Sequence, residues 1–235
     1  MPDRGCGVRA GENLNEHVVG ERWPAVGERH DMLEEALHII RALLDGERLT
    51  FDGVHFRTDS ARVWDLPDRP VQLGVAVSGA QSVSRFAPLA DHLVATDPEA
   101  DLVAGWDTAR AALEGAGPSR KIAQLPISWD PDEQVATQRA HEQFRWFAGG
   151  WHVNADLPTT EAFAAASQFV RPEDVAATIP CGPDLDAVVE AVSAYWEAGF
   201  TDIALVQVGD AAQQRFLDEA AGPLLDALRA AAPSD

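Results

Sequence analysis

The stretch Val71-Gln72-Leu73-Gly74-Val75-Ala76-Val77 most narrows what this chain can fold into. It is β-rich and almost continuously apolar, without the alternation of a half-exposed strand, so it reads as a strand covered on both faces. Ser78-Gly79-Ala80-Gln81-Ser82 follows, and then a helix to about Ala90. The same succession recurs. His92–Thr96 reads as a second buried strand, ending in Thr96-Asp97-Pro98-Glu99, with a helix from Ala100 to Leu113. Ile122–Ser128 is a third strand, followed by a long helix from Pro131 to Phe147. Strands that alternate with helices define a parallel α/β sheet with crossover connections.

The flanking regions fill in this plan. Gly5–Ala10 reads as a short, glycine-rich strand. A helix runs from about Glu28 to Leu44, with Leu33, Ala36, Leu37, Ile40 and Leu44 on one face and Gly46 as its stop. Leu49–Phe56 holds two short runs around Asp52-Gly53, a hairpin signal. Arg62–Pro70 is a surface connection and Gly149–Pro158 a loop. Thr160–Gln168 and Arg171–Thr178 are short helices, and Asp184–Ala198 is a longer one capped by Gly199. Ile203–Val208 is the last strand and Gln213–Ala231 the closing helix. About five strands are too few to close an eight-stranded barrel of ~250 residues. The pattern therefore leaves a complete open sheet or a barrel lacking its first units.

Composition sets the outer limits. With 235 residues, 46% of them hydrophobic, one domain spanning 1–235 is expected. No apolar run approaches the ~20 residues of a membrane helix. Met1-Pro2-Asp3-Arg4-Gly5 has no apolar signal region, and Cys6 and Cys181 make no disulfide framework, so a cytoplasmic protein is expected. A net charge of −20 argues against nucleic acid or a membrane surface as partner, since both are polyanions.

Two stretches can carry chemistry. Glu12 and Asn15 lie three apart after an apolar segment and Gly11, which places them on one face of a helix start. There a carboxylate can exchange a proton with a ligand and an amide can hydrogen-bond it, or both can simply cap the helix. Ser78–Ser82, between buried strand and helix, offers backbone N–H groups and hydroxyls, again as a ligand site or a helix start. The chain has no Walker lysine motif, no G-x-G-x-x-G and no G-x-S-x-G, and its seven histidines form no metal-binding pair. Trp146 and Trp151 flank Gly149-Gly150, where they could form an apolar lid or pack in a loop.

These stretches recur, in order, in a known family. Gly11-Glu12-Asn13-Leu14-Asn15-Glu16-His17, Trp64-Asp65-Leu66-Pro67, Val75–Ser82, Thr96-Asp97-Pro98, Phe144-Arg145-Trp146, Phe169–Asp174, Ile179–Pro183 and Ala198-Gly199-Phe200-Thr201 carry the match. The chain resembles the luciferase-like F420-dependent oxidoreductases, and within them the F420-dependent glucose-6-phosphate dehydrogenases. The resemblance implies a (β/α)8 barrel, usually dimeric, present here as its C-terminal five or so βα units. It implies coenzyme F420 at the strand ends and hydride transfer to it from a sugar, sugar-phosphate or alcohol carbon. It makes Glu12 the residue that exchanges a proton with the ring. Ala10, Asn15, Ser78, Gly79, Gln81 and Ser82 match cofactor contacts, and Thr96, His152 and Arg171 match substrate-binding positions; no metal is implied.

Two departures from the family follow. Where the family holds the sugar phosphate with lysines, this sequence has Glu99 and His152. A carboxylate repels a phosphate, so a different alcohol, sugar or hydroxy acid is expected as substrate. About three βα units that precede the Glu12 stretch in the family, with their histidine and tryptophan, have no counterpart, and a start at an internal methionine would produce this. Two alternatives stand beside the dehydrogenase: a non-catalytic (deaza)flavin-binding chain, and an FMN-dependent luciferase-like monooxygenase.

Overall fold

The computed structural model describes residues 5–233. Met1–Arg4, expected just ahead of the first strand, lie outside the described residues. Among the described residues there are seven strands: β1 (Gly5–Val8), β2 (Leu49–Asp52), β3 (Arg57–Ala61), β4 (Gln72–Ala76), β5 (His92–Ala95), β6 (Lys121–Ile127) and β7 (Asp202–Gln207). Five of them form one sheet in the order β1-β4-β5-β6-β7, and β2 and β3 form a separate hairpin. The chain divides into two compact units. One holds residues up to Gly11, Arg22–Ala95 and Ala100–Ile122; the other holds Glu12–Glu21, Thr96–Glu99 and everything from Ala123 onward.

In the first unit β1 pairs in parallel with β4, from Gly5 opposite Gln72 to Val8 opposite Val75. β4 pairs in parallel with β5, from Gly74 opposite His92 to Ala76 opposite Val94. The expected burial of the central strand on both faces holds, since Leu73, Gly74 and Val75 are consecutive and all buried. Each large apolar side chain so buried contributes about 1.5–3 kcal/mol. The helix Val26–Leu44 buries Leu33 and Leu37 from its predicted stripe. At the start of β4, the Asp91 carboxylate accepts from the Leu73 N–H at 2.8 Å and from the Arg41 guanidinium at 2.8 Å, which ties strand to helix.

The hairpin differs from the sequence reading. Its second strand is Arg57–Ala61, not Val54–Phe56, with Asp52 opposite Arg57 and Phe51 opposite Thr58. The cause is Glu35, whose carboxylate accepts from the N–H groups of Val54, His55 and Phe56 at 2.8, 2.9 and 3.0 Å. Backbone donors spent on a carboxylate are lost to the ladder, so these three residues form the turn. A side chain at Gly53 would run into the same carboxylate, with a Cβ 2.4 Å from Glu35 Oε2.

In the second unit the Val208 N–H donates to the Ile127 carbonyl at 2.8 Å, beside the ends of β7 and β6. The expected helix Pro131–Phe147 is an α-helix only over Glu133–Phe144, started by Asp132, whose carboxylate accepts from the N–H groups of Gln134 and Val135. Arg145–Gly149 is a 3-10 turn, and the segment read as a loop contains a further helix, Gly150–Asn154. An unbroken α-helix would turn Trp146 roughly 200° away from Phe144. The break instead gathers the rings: Trp146 lies 5.1 Å from Phe144, 6.1 Å from Phe147 and 5.9 Å from Phe163, centroid to centroid. The closing helix is also two helices, Asp210–Glu219 and Ala221–Ala231. Pro223 follows the break, in the first turn of the second helix, where a missing N–H costs nothing.

Candidate functional site

Ala10 closes the segment that runs out of β1, and Gly11, at φ +79°, turns the chain into the Glu12 loop. Glu12 occupies the N-cap position of the short helix Asn13–Glu16, but its side chain makes no capping bond. Its carboxylate instead accepts from the Asn15 side-chain amide, Nδ2 to Oε2 at 3.0 Å. Glu12 is thus bonded by Asn15, and its side chain does not cap its own helix. Asn13, the first residue of that helix, is bonded to a segment distant in sequence. Its N–H donates to the Ala155 carbonyl at 3.0 Å, and its side-chain amide donates to the Asp156 carbonyl at 2.9 Å. Asn13 was passed over in the sequence because an asparagine at a helix start reads as an ordinary cap.

The remaining polar positions of the second unit sit as follows. Thr96 is exposed just after β5; its hydroxyl donates to Asp97 Oδ2 at 3.2 Å, and its carbonyl accepts from the Tyr195 hydroxyl at 2.6 Å. Burial, together with the Asp97 charge, pushes the Tyr195 phenol up to about 12, so it stays a donor throughout the physiological range. His152 is exposed on the helix Gly150–Asn154. Arg171 precedes the helix Pro172–Ala176, and its guanidinium is already engaged. Its Nε and Nη2 donate to the two Asp174 oxygens at 3.1 and 2.8 Å, and Glu173 lies 3.2 Å from Nη1. The Arg171 side chain and then its backbone N–H draw the Asp174 carboxyl down to about 2. Among the described residues, no hydrogen bond or ion pair links Thr96, His152 and Arg171 to one another.

In the first unit, the segment after β4 places Ser78, Gly79, Gln81 and Ser82 within five residues. Ser82 is buried and braces the turn: its hydroxyl donates to the Gly79 carbonyl at 2.8 Å and accepts from the Ser78 N–H at 3.3 Å. Ser78 and Gln81 are exposed. A Cβ added at Gly79 would meet nothing within 4 Å. Its backbone is extended, so neither strain nor local packing demands glycine here. The absence of a side chain leaves open backbone at a strand end, where α/β proteins hold ligands.

A second group of polar side chains went unnoticed in the sequence. Arg139 donates to the Asp130 carboxylate at 3.2 Å, the Ser128 hydroxyl at 3.2 Å and the Trp129 carbonyl at 2.8 Å. The buried Gln207 amide accepts from the Trp129 N–H and donates to the carbonyls of Trp129 and Val208. These bonds brace the ends of β6 and β7. Gly209, at φ +91°, is required there, because a Cβ would lie 2.5 Å from Arg139 Cδ.

Parallel strands joined by helices, with polar side chains at the strand ends, define an α/β assembly of the barrel type. The chain belongs to the luciferase-like monooxygenase family, whose pattern matches residues 5–202. It is 31% identical over 240 residues to an F420-dependent glucose-6-phosphate dehydrogenase of Beutenbergia cavernae, covering 95% of this chain and 68% of that one. It is 32% identical to an F420-dependent hydroxymycolic acid dehydrogenase of Mycobacterium tuberculosis, covering 82% and 53% respectively. Its fold is also that of a solved F420-dependent secondary alcohol dehydrogenase in complex with an F420–acetone adduct. The TM-score is 0.74 at 24% identity, over 86% of this chain and 63% of that one. The chain therefore spans between about half and two thirds of the length of these relatives, and its five-stranded parallel sheet corresponds to part of a luciferase-like (β/α)8 barrel. Among the described residues no helix is long and apolar enough to cross a membrane.

Proposed function

We propose that this chain serves an F420-dependent oxidoreductase that oxidises the CH–OH group of a small molecule lacking a phosphate. The observation that carries the reading is the Glu12 carboxylate, fixed by Asn15 and not used as a helix cap. When bound, the deazaflavin supplies the acceptor for a hydride from the substrate carbon. Glu12 would be the residue to exchange a proton with a bound ring, its carboxylate oriented by the Asn15 amide. Ala10, Ser78, Gly79, Gln81 and Ser82 hold the cofactor. The open backbone at Gly79 suits a flat ring system, since no side chain intrudes within 4 Å. Relatives named as F420-dependent enzymes support the cofactor assignment over FMN.

The substrate class follows from charge. Thr96, His152 and Arg171 contact the substrate, but they are poor holders of a phosphate dianion. Arg171 is neutralised by Asp174 and Glu173, and Thr96 is followed by Asp97 and Glu99. A phosphate would have to displace a bidentate carboxylate and approach further negative charge, both of which disfavour it. The test is anaerobic reduction of F420 with secondary alcohols, unphosphorylated sugars, hydroxy acids and glucose 6-phosphate. Bleaching with a neutral alcohol or sugar in preference to glucose 6-phosphate is expected, as is a turnover loss of about 100-fold or more in Glu12→Gln. A preference for the phosphate ester would overturn the substrate class, and an unchanged rate in Glu12→Gln would remove Glu12 from proton transfer.

A further inference from the structure

We infer that His30 is a pH-sensitive latch: its neutral imidazole keeps the helix Val26–Leu44 closed on the helix Ala80–Phe86, and its protonation in mild acid loosens the Ser78–Ser82 segment at the head of that second helix. The consequence for the cofactor rests on the reading of Ser78–Ser82 given above; the latch itself does not.

Most buried side-chain nitrogens have a hydrogen-bond partner. His30 is only 9% exposed, and its Nδ1 is buried with no partner among the described residues. The imidazole meets Phe86 edge to face, with centroids 5.3 Å apart and planes at 85°. Phe86 is itself buried and is the last residue of the helix Ala80–Phe86. An unprotonated Nδ1 leaves only a lone pair unsatisfied in this contact. A protonated one places an N–H and a full charge where neither is solvated. The Phe86 ring can attract a cation, but by less than the lost hydration costs.

The neighbouring charges push the same way. On its own helix His30 lies between Arg29, whose guanidinium sits 4.1 Å from the Trp23 centroid, and Asp31. On the facing helix Arg85 donates to Asp31 at 2.6 Å and is also bonded to Glu34. β2, which packs on the helix Val26–Leu44 as well, carries one charged residue, Asp52, exposed and paired with Arg57 at 2.7 Å. Burial first, then Arg85 and Arg29, hold the His30 imidazole below its ordinary 6.5, and Asp31 opposes them. Above 6.5 the ring is neutral folded or opened, so the contact is complete there. As pH falls below 6.5 the opened state takes the proton first. The opening constant then rises by up to about tenfold per pH unit until the folded value is reached. The helix that Phe86 ends is seven residues, about 10 Å, long, and its first turn holds Gln81 and Ser82. Loosening one end of so short a helix reaches the other.

His30→Met removes the titrating group and leaves an adaptable apolar side chain in its place; His30→Gln serves if methionine disturbs the packing. Hydrogen exchange of the purified chain, corrected for the intrinsic effect of pH, reads the latch. Protection of 28–34 and 80–87 should fall about tenfold or more from pH 7 to pH 5 in the wild type and stay within about twofold in His30→Met. Protection of 185–197 should be the same in both proteins. In the wild type the His30 ring resonances should titrate below 6.5. An equal acid loss in the wild type and the variants, or a His30 ring that titrates at or above 6.5, would overturn the latch. Release of bound F420 should be about threefold or more faster at pH 5.5 than at pH 7 in the wild type, and not in His30→Met. The same acceleration in both would overturn the coupling to the cofactor. Exchange as expected with no F420 binding at pH 7 would overturn the cofactor reading and leave the latch standing.

Discussion

Two strand ends in this molecule, both rich in serine, glycine and amide side chains, are built in opposite ways. After β4, Ser82 alone braces the turn, while Ser78 and Gln81 face solvent and Gly79 has open space where a side chain would go. After β6 and β7, the polar groups of Ser128, Asp130, Arg139 and Gln207 bond one another and backbone, with Arg215 also near Asp130, and Gly209 is crowded by Arg139. The difference separates a strand end with open backbone from strand ends whose polar groups are closed on the protein. Residue type alone does not distinguish them; what each polar atom touches does.

The largest effect should come from the closed end. Arg139→Met leaves the Asp130 carboxylate, only 12% exposed, without its nearest cation, and only Arg215, 3.8 Å away, partly compensates. A loss of about 3 kcal/mol in urea unfolding is expected; a loss below about 1 kcal/mol would break the contrast. Gly209→Ala should cost about 1–3 kcal/mol, because its backbone conformation is one that alanine resists and the Arg139 side chain is pinned by three acceptors.

Smaller effects sharpen the picture. Tyr195→Phe removes the hydroxyl that holds the Thr96 carbonyl and should cost about 1 kcal/mol. The Glu35 site adds a pH test. Burial alone would raise that carboxyl, but the N–H groups of His55, Phe56 and Val54 outweigh it and bring it below its ordinary 4.5. A depressed folded value means the stabilisation is present above the unfolded value and is lost as pH falls through the folded one. Hydrogen exchange at 54–56 should therefore be protected at pH 7 and lose protection below about pH 4.5, with Glu35→Gln unprotected at both. The smallest stability effect belongs to the open end. Gly79→Ala should change unfolding by less than about 0.5 kcal/mol, yet weaken F420 binding.

Much of this was legible in the sequence, and the exceptions share a cause. β4, β5 and β6 announce themselves because burial on both faces requires unbroken apolar residues, and the Glu12 and Ser78–Ser82 stretches follow strands where a ligand site belongs. The hairpin register was not legible, because it is set by Glu35, nearly twenty residues upstream of the turn. The breaks at Phe144 and Ala220 come from ring packing and from Pro223, against a pattern that reads as continuous helix. Asn13, Arg139 and Tyr195 look ordinary in sequence, and their roles depend on carbonyls and carboxylates brought near only by the fold. The engagement of Arg171 by Asp174 is local, three residues apart, and a reading that weighed the helix start could have found it.

The central claim is that the open strand end and the Glu12 loop serve a deazaflavin. Fluorescence titration of the wild-type chain with F420, alongside FMN and with Gly79→Ala and Arg139→Met as paired variants, tests it most directly. The account predicts saturable F420 binding tighter than FMN, weakened about tenfold or more by Gly79→Ala and unchanged by Arg139→Met under conditions where that variant stays folded. No saturable F420 binding, or FMN bound in preference to it, would contradict the account.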